Sequence, residues 1–363
     1  MKRIVILGST GSIGTQVLDV VRAHPDAFEV IGISAYEDSA LLERQNQEFK
    51  PRYVVQAGIS ENPTQVLSTL AAVEEADIIV NAIAGSAGLF PTLAAVQAGK
   101  TVALANKESL VMAGELVMQT ARRMGGRILP IDSEPSAIWQ ALLARSEAVS
   151  EPTIDGVEKV ILTASGGPFW RWNRQNLEHV TLEEALKHPT WQMGEKISVD
   201  SATLMNKAFE IIETKQLFGL QAEKIDVTIH RQSLVHSFVQ YDDGNMHAVL
   251  APTDMRIPTH YALFYPNRQK NSLPRIDLSQ LTLTFEAPDY SIFEGPKLAY
   301  EVIKAGGLMP AIFCLADERA VRRFCDGEIG FLDIYDEIKR ALDEARNEEL
   351  TLDSLRELIS RMV

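Results

Sequence analysis

The stretch of residues 3–24, RIVILGSTGSIGTQVLDVVRAH, gives the clearest indication of the fold. Its β-branched start predicts a strand, and the spacing of apolar residues after the glycines predicts a helix. Gly8, Gly11 and Gly14 lie at the junction, where glycines permit a tight turn and let a pyrophosphate approach the helix N-terminus. Thr10 stands where the common dinucleotide fingerprint has its second glycine. The stretch therefore predicts either a dinucleotide site or only a tight strand-to-helix turn.

The alternation of strand and helix patterns continues along the chain. In residues 1–130 it predicts an α/β fold class, with a Rossmann-like parallel sheet as a dinucleotide-binding domain. Residues 131–265 mix strands and polar loops with one strong helix at about 202–217, which predicts a central α+β domain. The proline-rich, polar residues 266–286 suggest a linker, and residues 287–363 predict a C-terminal helical domain.

Composition limits the classes of partner. The chain has 363 residues with 35 basic and 49 acidic side chains, and this net charge of −14 argues against a nucleic-acid partner, which needs a basic face. Cys314 and Cys325 are too few for a disulfide framework and fit a reducing compartment. No apolar run reaches the roughly 18–20 residues of a membrane span, and no signal-peptide pattern is present. We expect a cytoplasmic protein that binds neither nucleic acid nor membrane.

Two acids follow the second predicted strand, FEVIGISA. Glu37 and Asp38 lie about 20 residues beyond the glycines, where an acid would accept a hydrogen bond from a ribose 2′-OH and repel a 2′-phosphate. This position favours NADH. Alternatively, both acids point to solvent as caps of the following helix.

A carboxylate pair follows the predicted strand RILPI. Asp132 and Glu134, two residues apart, would face one side of an extended segment at the carboxyl edge of the sheet, where open α/β sheets bind ligands. Converging carboxylates form a hard-oxygen site for Mg²⁺ or Mn²⁺. The alternative is a solvated pair at the start of the next helix, with Ser133 or Glu134 as its cap.

The strong central helix lies in GEKISVDSATLMNKAFEIIETKQLF. Asp200 or Ser201 is predicted to cap it, and Asn206 and Lys207 lie within about a quarter-turn of Glu210. A lysine and an asparagine near a helix N-terminus suit a phosphate, and Glu210 would then be a third metal ligand. The alternative is a solvated ion pair between Lys207 and Glu210.

Three more segments carry polar residues at strand ends or in loops. LTASGGPF places Ser165 before two glycines, where it offers a hydroxyl and N–H groups. KHPTWQMG is a mixed polar and aromatic loop of the kind that covers a substrate. Its candidates are His188, Trp191 and Met193. ALANKES ends another strand at the carboxyl edge of the sheet, and its candidates are Asn106, Lys107 and Glu108.

In this order, the stretches resemble the 1-deoxy-D-xylulose 5-phosphate reductoisomerase family. The matching pieces are GSTGSIG, NAIAGSAGL, ALANKESLV, LPIDSE, LTASGGPF, HPTWQMGEKISVDSATLMNKAFEIIE, QSLVHSFV, DMRIP and AYEVIKAGG. The resemblance implies an N-terminal dinucleotide domain, a central catalytic and dimerisation domain, and a C-terminal helical bundle.

The resemblance also implies a role for each candidate residue. The metal ligands are Asp132, Glu134 and Glu210. The catalytic set adds Lys107 and His188. The substrate contacts are Lys107, Ser133, Ser165, His188, Trp191, Met193, Ser201, Asn206 and Lys207, of which Ser165, Ser201, Asn206 and Lys207 bind the phosphate. The cofactor contacts are Gly8, Thr10, Gly11, Ser12, Ile13, Asn106, Glu108 and Met255.

The implied reaction has two steps and uses NADPH and Mg²⁺ or Mn²⁺. Carbon–carbon cleavage and rejoining converts 1-deoxy-D-xylulose 5-phosphate into a branched aldehyde. Hydride transfer from the nicotinamide then gives 2-C-methyl-D-erythritol 4-phosphate, a precursor in the non-mevalonate isoprenoid route. The resemblance further implies a homodimer.

Several positions depart from the family pattern. Pro135 stands where a histidine is usual, and Glu37 and Asp38 stand where the family has a basic or small residue and an asparagine. Thr253 replaces a usual proline, and Asp317 replaces an asparagine. Pro135, Thr253 and the pair Glu37 and Asp38 together support a second hypothesis, a paralogue that acts on another sugar phosphate, with NADH as its possible cofactor. A catalytically silent relative is the remaining hypothesis.

Overall fold

The computed structural model describes residues 1–37, 39–144 and 152–362 of the chain. They form two compact units. The first unit comprises residues 1–110, 114–136 and 254–274, and the second comprises residues 111–113, 137–253 and 275–363. The domain boundaries predicted at residues 130, 265 and 286 stay predictions.

The strands and helices alternate through the first third of the chain, and helices predominate at its end. The strands are β1 (Lys2–Leu7), β2 (Phe28–Ala35), β3 (Tyr53–Gln56), β4 (Ile78–Asn81), β5 (Thr101–Leu104), β6 (Arg127–Pro130), β7 (Val157–Ala164), β8 (Ile225–Ile229), β9 (Val235–Tyr241) and β10 (Met246–Leu250). The helices are α1 (Ser12–Ala23), α2 (Ala40–Phe49), α3 (Pro63–Ala71), α4 (Leu89–Gln97), α5 (Glu108–Met124), α6 (Ser133–Leu143), α7 (Arg174–Leu177), α8 (Leu182–Ala185), α9 (Glu195–Ala202), α10 (Met205–Phe218), α11 (Arg256–Phe264), α12 (Gly295–Ala305), α13 (Met309–Cys325), α14 (Asp333–Glu344) and α15 (Leu352–Met362).

The first unit is built on a six-stranded sheet in the order β3-β2-β1-β4-β5-β6. Every neighbouring pair in this sheet is parallel. The last four residues of β1 and all of β4 are buried, which explains why these strands read as continuous apolar runs. The predicted Rossmann-like parallel sheet is therefore confirmed.

The glycine turn between β1 and α1 has the geometry that the sequence predicts. Gly8 has φ 77°, in the left-handed region that favours glycine. A Cβ on Gly14, within α1, would lie 2.1 Å from the carbonyl oxygen of Gly8. Only glycine therefore lets the first turn of α1 pass so close to the end of β1.

The second unit holds a four-stranded sheet in the order β10-β9-β7-β8. β7 and β8 are parallel, whereas β9 is antiparallel to both of its neighbours. The hairpin of β9 and β10 turns through Asp243 and Gly244, as predicted, with φ 84° at Gly244. The helix predicted at about 202–217 is confirmed as α10, which begins three residues later than predicted because a turn at Thr203 and Leu204 separates it from α9.

The C-terminal part of the second unit is helical, as predicted. Ile334 and Ile338 of α14 are fully buried, as are Leu355 and Leu358 of α15. The buried residues of each helix lie on one face, which packs against the rest of the unit. Among the described residues, no helix is long and apolar enough to cross a membrane.

Candidate active site

Asp132 and Glu134 lie at the carboxyl end of β6, in the first unit. The prediction that both stand in an extended segment is wrong, because α6 begins at Ser133. The Ser136 N–H donates to the Asp132 carbonyl (2.9 Å), so Asp132 is the residue that precedes the helix, and the predicted cap at Ser133 or Glu134 is wrong. Carboxylate oxygens of Asp132 and Glu134 still lie within 4.8 Å of each other.

Hydrogen bonds fix the orientation of this carboxylate pair. The Ser133 N–H donates to Asp132 Oδ1 (3.0 Å), and the Ser133 hydroxyl donates to Glu134 Oε2 (2.7 Å). Lys107 Nζ, at the start of α5, lies 2.5 Å from Asp132 Oδ2, and both side chains are largely buried. Two acidic groups and one ammonium are thus held together at the carboxyl edge of the sheet.

Asn106 and Glu108 flank Lys107 and are nearly buried. The Asn106 amide donates to the carbonyls of Ile83 and Gly85 (both 2.8 Å) and to Glu108 Oε2 (3.1 Å). These bonds tie the loop after β4 to the end of β5. The two residues therefore shape the rim beside the glycine turn.

The predicted cofactor residues lie around the start of α1. Gly11 precedes the helix, and its first turn has no side-chain cap, which leaves the N–H groups of Ser12 and Ile13 oriented for an anionic ligand. Thr10 is half-buried in the turn. Met255, half-buried, precedes α11 in the same unit.

Glu37 follows β2 and is exposed. The Leu42 N–H donates to the Ser39 hydroxyl (3.1 Å), so Ser39 caps α2, and the alternative that Glu37 caps it is wrong. Asp38, the second acid of this prediction, lies outside the described residues.

Glu210 lies on α10 in the second unit and is fully buried. Asn206 Nδ2 donates to its Oε1 (2.7 Å) and Lys207 Nζ to its Oε2 (2.5 Å), which confirms the predicted arrangement around Glu210. Lys207 is only 4% exposed, so the alternative of a solvated ion pair is wrong. Asn206 and Lys207 occupy the first turn of α10, where the helix dipole adds to the positive charge.

Ser201 lies in the last turn of α9, half-buried. The prediction that Asp200 or Ser201 caps the following helix is wrong, because α9 includes both and Leu204 precedes α10. Ser201 is nevertheless brought within a few residues of the first turn of α10, since the chain between the two helices is short.

Ser165 and His188 meet in the second unit. The N–H groups of Thr190 (3.2 Å) and Trp191 (2.9 Å) both donate to His188 Nδ1. This network assigns the imidazole proton to Nε2, which donates to the Ser165 oxygen at 2.8 Å. The Gly167 N–H donates to the same oxygen (3.1 Å), so the Ser165 hydroxyl proton can be donated to a ligand. Trp191 and Met193 are half-buried in the same loop.

Sequence reasoning missed Arg231, which follows β8. Its Nη1 donates to the carbonyls of Ser165 and Gly167, both at 2.5 Å, and its guanidinium lies 5.4 Å from the centre of the Trp170 ring. Arg231 therefore holds the turn that presents Ser165. Its position two residues after the end of β8 was the available signal.

Among the described residues, the first unit defines the class of protein. A parallel sheet with a glycine turn before α1, and with carboxylates and a lysine at its carboxyl edge, is typical of dinucleotide-dependent oxidoreductases whose chemistry uses a divalent cation.

Comparison with known proteins identifies the family. The family model for 1-deoxy-D-xylulose 5-phosphate reductoisomerase matches residues 4–114, and two models for the C-terminal domains of that enzyme match residues 128–218 and 250–362. The chain belongs to the 1-deoxy-D-xylulose 5-phosphate reductoisomerase family.

Individual relatives agree with this assignment. The reductoisomerase of Pelotomaculum thermopropionicum is 47% identical over 95% of this chain and 92% of its own length. That of Chlorobium chlorochromatii is 46% identical over 94% of this chain and 92% of its own length.

Solved structures also match over the full length. A reductoisomerase crystallised with NADPH, fosmidomycin and magnesium has a TM-score of 0.91 at 36% identity, covering 99% of this chain and 95% of its own. The enzyme of Zymomonas mobilis in complex with NADPH has a TM-score of 0.89 at 37% identity, covering 99% and 97%. The resemblance drawn from the sequence motifs, and the α/β fold class, are confirmed.

Proposed function

We propose that this protein converts 1-deoxy-D-xylulose 5-phosphate into 2-C-methyl-D-erythritol 4-phosphate with NADPH and a divalent cation. The observation that carries the proposal is the group at the carboxyl edge of the first sheet, where Asp132, Glu134 and Lys107 are held together in a chain of this family. This edge is where open α/β sheets bind ligands.

Asp132, Glu134 and Glu210 would hold the cation. Carboxylate oxygens are the ligands that Mg²⁺ and Mn²⁺ prefer, and the paired carboxylates of the first unit fit such an ion. Glu210, buried in the second unit, accepts hydrogen bonds from Asn206 and Lys207. When bound, the cation supplies Lewis-acid polarisation of a substrate carbonyl.

Lys107 and Ser133 orient the reacting end of the substrate. Lys107 is 5% exposed, and such a preorganised charge stabilises negative charge that develops on a substrate oxygen. The Ser133 hydroxyl, already bonded to Glu134, lies beside the carboxylates and can contact the substrate hydroxyls.

Ser165, Ser201, Asn206 and Lys207 would bind the phosphate. The network around His188 leaves the Ser165 hydroxyl proton for a phosphate oxygen, and the first turn of α10 offers a lysine, an amide and a positive dipole end. A phosphate held far from the reacting carbons provides binding energy that orients them.

The loop from residue 187 to residue 194 would cover the bound substrate. His188 joins this loop to Ser165, and Trp191 lies 6.2 Å from the His236 ring. The half-buried Trp191 and Met193 provide apolar surface that excludes water from the reacting carbons.

The glycine turn and the first turn of α1 would bind the pyrophosphate of the cofactor. The contacts proposed there are Gly8, Thr10, Gly11, Ser12 and Ile13, with Asn106 and Glu108 at the rim and Met255 beside the nicotinamide. Bound NADPH supplies the hydride for the reduction step. NADPH is the nucleotide bound in the crystallised relatives.

We infer the assembly from the family resemblance and the compartment from the composition of the chain. We infer a homodimer in the cytoplasm, whose partner is a small sugar phosphate rather than a nucleic acid or a membrane. A sedimentation mass of about twice the 40.2 kDa of the chain would agree with the dimer, and a mass of one chain would contradict it.

One assay tests the function. Purified protein is given 1-deoxy-D-xylulose 5-phosphate and Mg²⁺ or Mn²⁺, and the oxidation of NADPH and of NADH is followed in parallel. We expect turnover with NADPH, its loss after treatment with EDTA, and its return when the cation is restored. The absence of turnover with either nucleotide would overturn the proposal, and turnover with NADH alone would correct the cofactor.

A further inference from the structure

Leu204, at the junction between α9 and α10, has a backbone conformation that is unfavourable for a residue with a side chain. Leu204 has φ 56°, in the left-handed region that residues with a Cβ avoid. Its side chain is only 3% exposed. A bulky residue keeps such a conformation only where its surroundings impose it.

This junction decides where the proposed phosphate contacts point. Ser201 stands three residues before Leu204, and Asn206 and Lys207 stand two and three residues after it. A change at Leu204 would therefore rotate the last turn of α9 against the first turn of α10. The hydroxyl and the ammonium would then no longer lie at their present distance.

Tyr335 of α14 bonds directly to this junction. Its hydroxyl donates to the carbonyl oxygen of Thr203 (2.7 Å), and its side chain is one of the largest fully buried side chains described. Burial raises the pKa of Tyr335 well above its ordinary value, so the phenol keeps the proton that it donates. The carbonyl that accepts this bond belongs to the peptide group that joins Thr203 to Leu204.

Two other contacts of the second unit lie beside this peptide group. The Thr203 hydroxyl donates to the carbonyl of Val199 (3.0 Å). A Cβ on Gly295, at the start of α12, would lie 2.9 Å from the Leu204 carbonyl oxygen. Two helices from the C-terminal part of the chain, α12 and α14, therefore pack against the junction between α9 and α10.

We propose that Tyr335 is a positioning residue of this enzyme. Its hydroxyl fixes the peptide group before Leu204 and so holds Ser201, Asn206 and Lys207 in the orientation that binds the substrate phosphate. The inference rests on the proposed role of those three residues.

The matched variants are Tyr335→Phe and Tyr300→Phe. Tyr300 also donates its hydroxyl to a backbone carbonyl, that of Ile225 (2.6 Å), at a place remote in sequence from the junction. For Tyr335→Phe we expect kcat/KM for 1-deoxy-D-xylulose 5-phosphate to fall by about fivefold to tenfold, the loss typical of one hydrogen bond. KM for NADPH should change less than twofold, and Tyr300→Phe should leave both values unchanged.

Two results would overturn the inference. One is a wild-type kcat/KM in Tyr335→Phe, and the other is an equal loss for substrate and NADPH, which indicates general destabilisation. If Tyr335→Phe does not fold, Thr203→Val removes the hydroxyl at the same junction and should give the same selective loss; wild-type values there would also overturn it.

A second measurement separates this inference from the proposed function. If the wild-type protein does not turn over the substrate, the function fails, and calorimetric titration with inorganic phosphate tests Tyr335 alone. Weaker binding by Tyr335→Phe than by wild type would support its positioning role. Equal binding, or none by either protein, would contradict it.

Discussion

At the scale of single residues, two buried lysines each form an ion pair with a proposed metal ligand. Lys107 bonds to Asp132 in the first unit, and Lys207 bonds to Glu210 in the second. Because these pairs are shielded from water, their attraction is stronger than that of surface ion pairs. Each lysine therefore lies against a carboxylate that we propose as a metal ligand.

Glu210→Gln should abolish the metal-dependent reaction. The amide keeps the shape of the side chain but loses the charge, so we expect the affinity for Mn²⁺ to fall by at least the roughly 10- to 100-fold typical of losing a partner near a metal. Removing one member of a buried pair should also lower the free energy of unfolding by about 3–5 kcal/mol. Mn²⁺ titration and turnover assays measure the first effect, and urea unfolding measures the second.

The control is Glu213→Gln, one turn further along α10 and equally buried. It should leave Mn²⁺ affinity within about twofold of the wild type. Unchanged Mn²⁺ affinity in Glu210→Gln would remove Glu210 from the proposed ligands.

At the scale of elements, the turn between β1 and α1 depends on close backbone approach. The Gly8 carbonyl and the position of a Gly14 Cβ are 2.1 Å apart, a distance that no side chain tolerates. The turn and the helix start must therefore shift together if Gly14 is replaced. That shift moves the N–H groups of Ser12 and Ile13, which we propose bind the cofactor pyrophosphate.

Gly14→Ala should therefore raise KM for NADPH by about tenfold or more, since displaced N–H donors lose charge-assisted bonds. KM for the sugar phosphate should change much less, because its proposed phosphate contacts lie in the second unit. Gln16→Ala, on the same helix, is the control and should leave both values near wild type. If Gly14→Ala binds NADPH normally, as judged by fluorescence titration, the turn is not the pyrophosphate site.

At the scale of the whole molecule, stability depends on a histidine that the active site does not use. His260 on α11 is 5% exposed and its ring lies 5.1 Å from that of His24 and 4.6 Å from that of Phe264. Burial, together with the nearby His24, lowers the pKa of His260 from 6.5 to about 4. The folded chain therefore binds a proton at this site only in acid.

The sign of the pH dependence follows from this lowered pKa. Below pH 6.5 the unfolded chain protonates this histidine and the folded chain does not. The free energy of unfolding therefore decreases as the pH falls from 6.5 towards 4. The full loss is about 3 kcal/mol, at about 1.4 kcal/mol for each pH unit. Urea unfolding of His260→Phe between pH 7.5 and 4.5 should show a weaker dependence than wild type. His179→Gln, an exposed histidine, should behave as wild type, and an unaltered profile in His260→Phe would refute the assignment.

Elements whose signal is local could be predicted from the sequence alone. The apolar strands, the glycine turn and the Asp243-Gly244 hairpin follow from backbone preferences and from which residues must avoid water. The spacing of Asn206, Lys207 and Glu210 fixed their mutual contacts, because one helix turn brings such residues together. The sequence motifs were also sufficient to identify the family to which the chain belongs.

Features that depend on contacts between distant parts of the chain could not be predicted from the sequence and are seen only in the folded protein. Helical periodicity continues across Thr203, so the break before Leu204 could not be read from it; a hydroxyl 132 residues away holds that peptide. Arg231 contacts the Ser165 turn only because β7 and β8 pair in the sheet. The spacing of Lys207 and Glu210 predicts that they can pair, but not that the pair is buried. Their solvent exposure depends on the packing of the whole second unit.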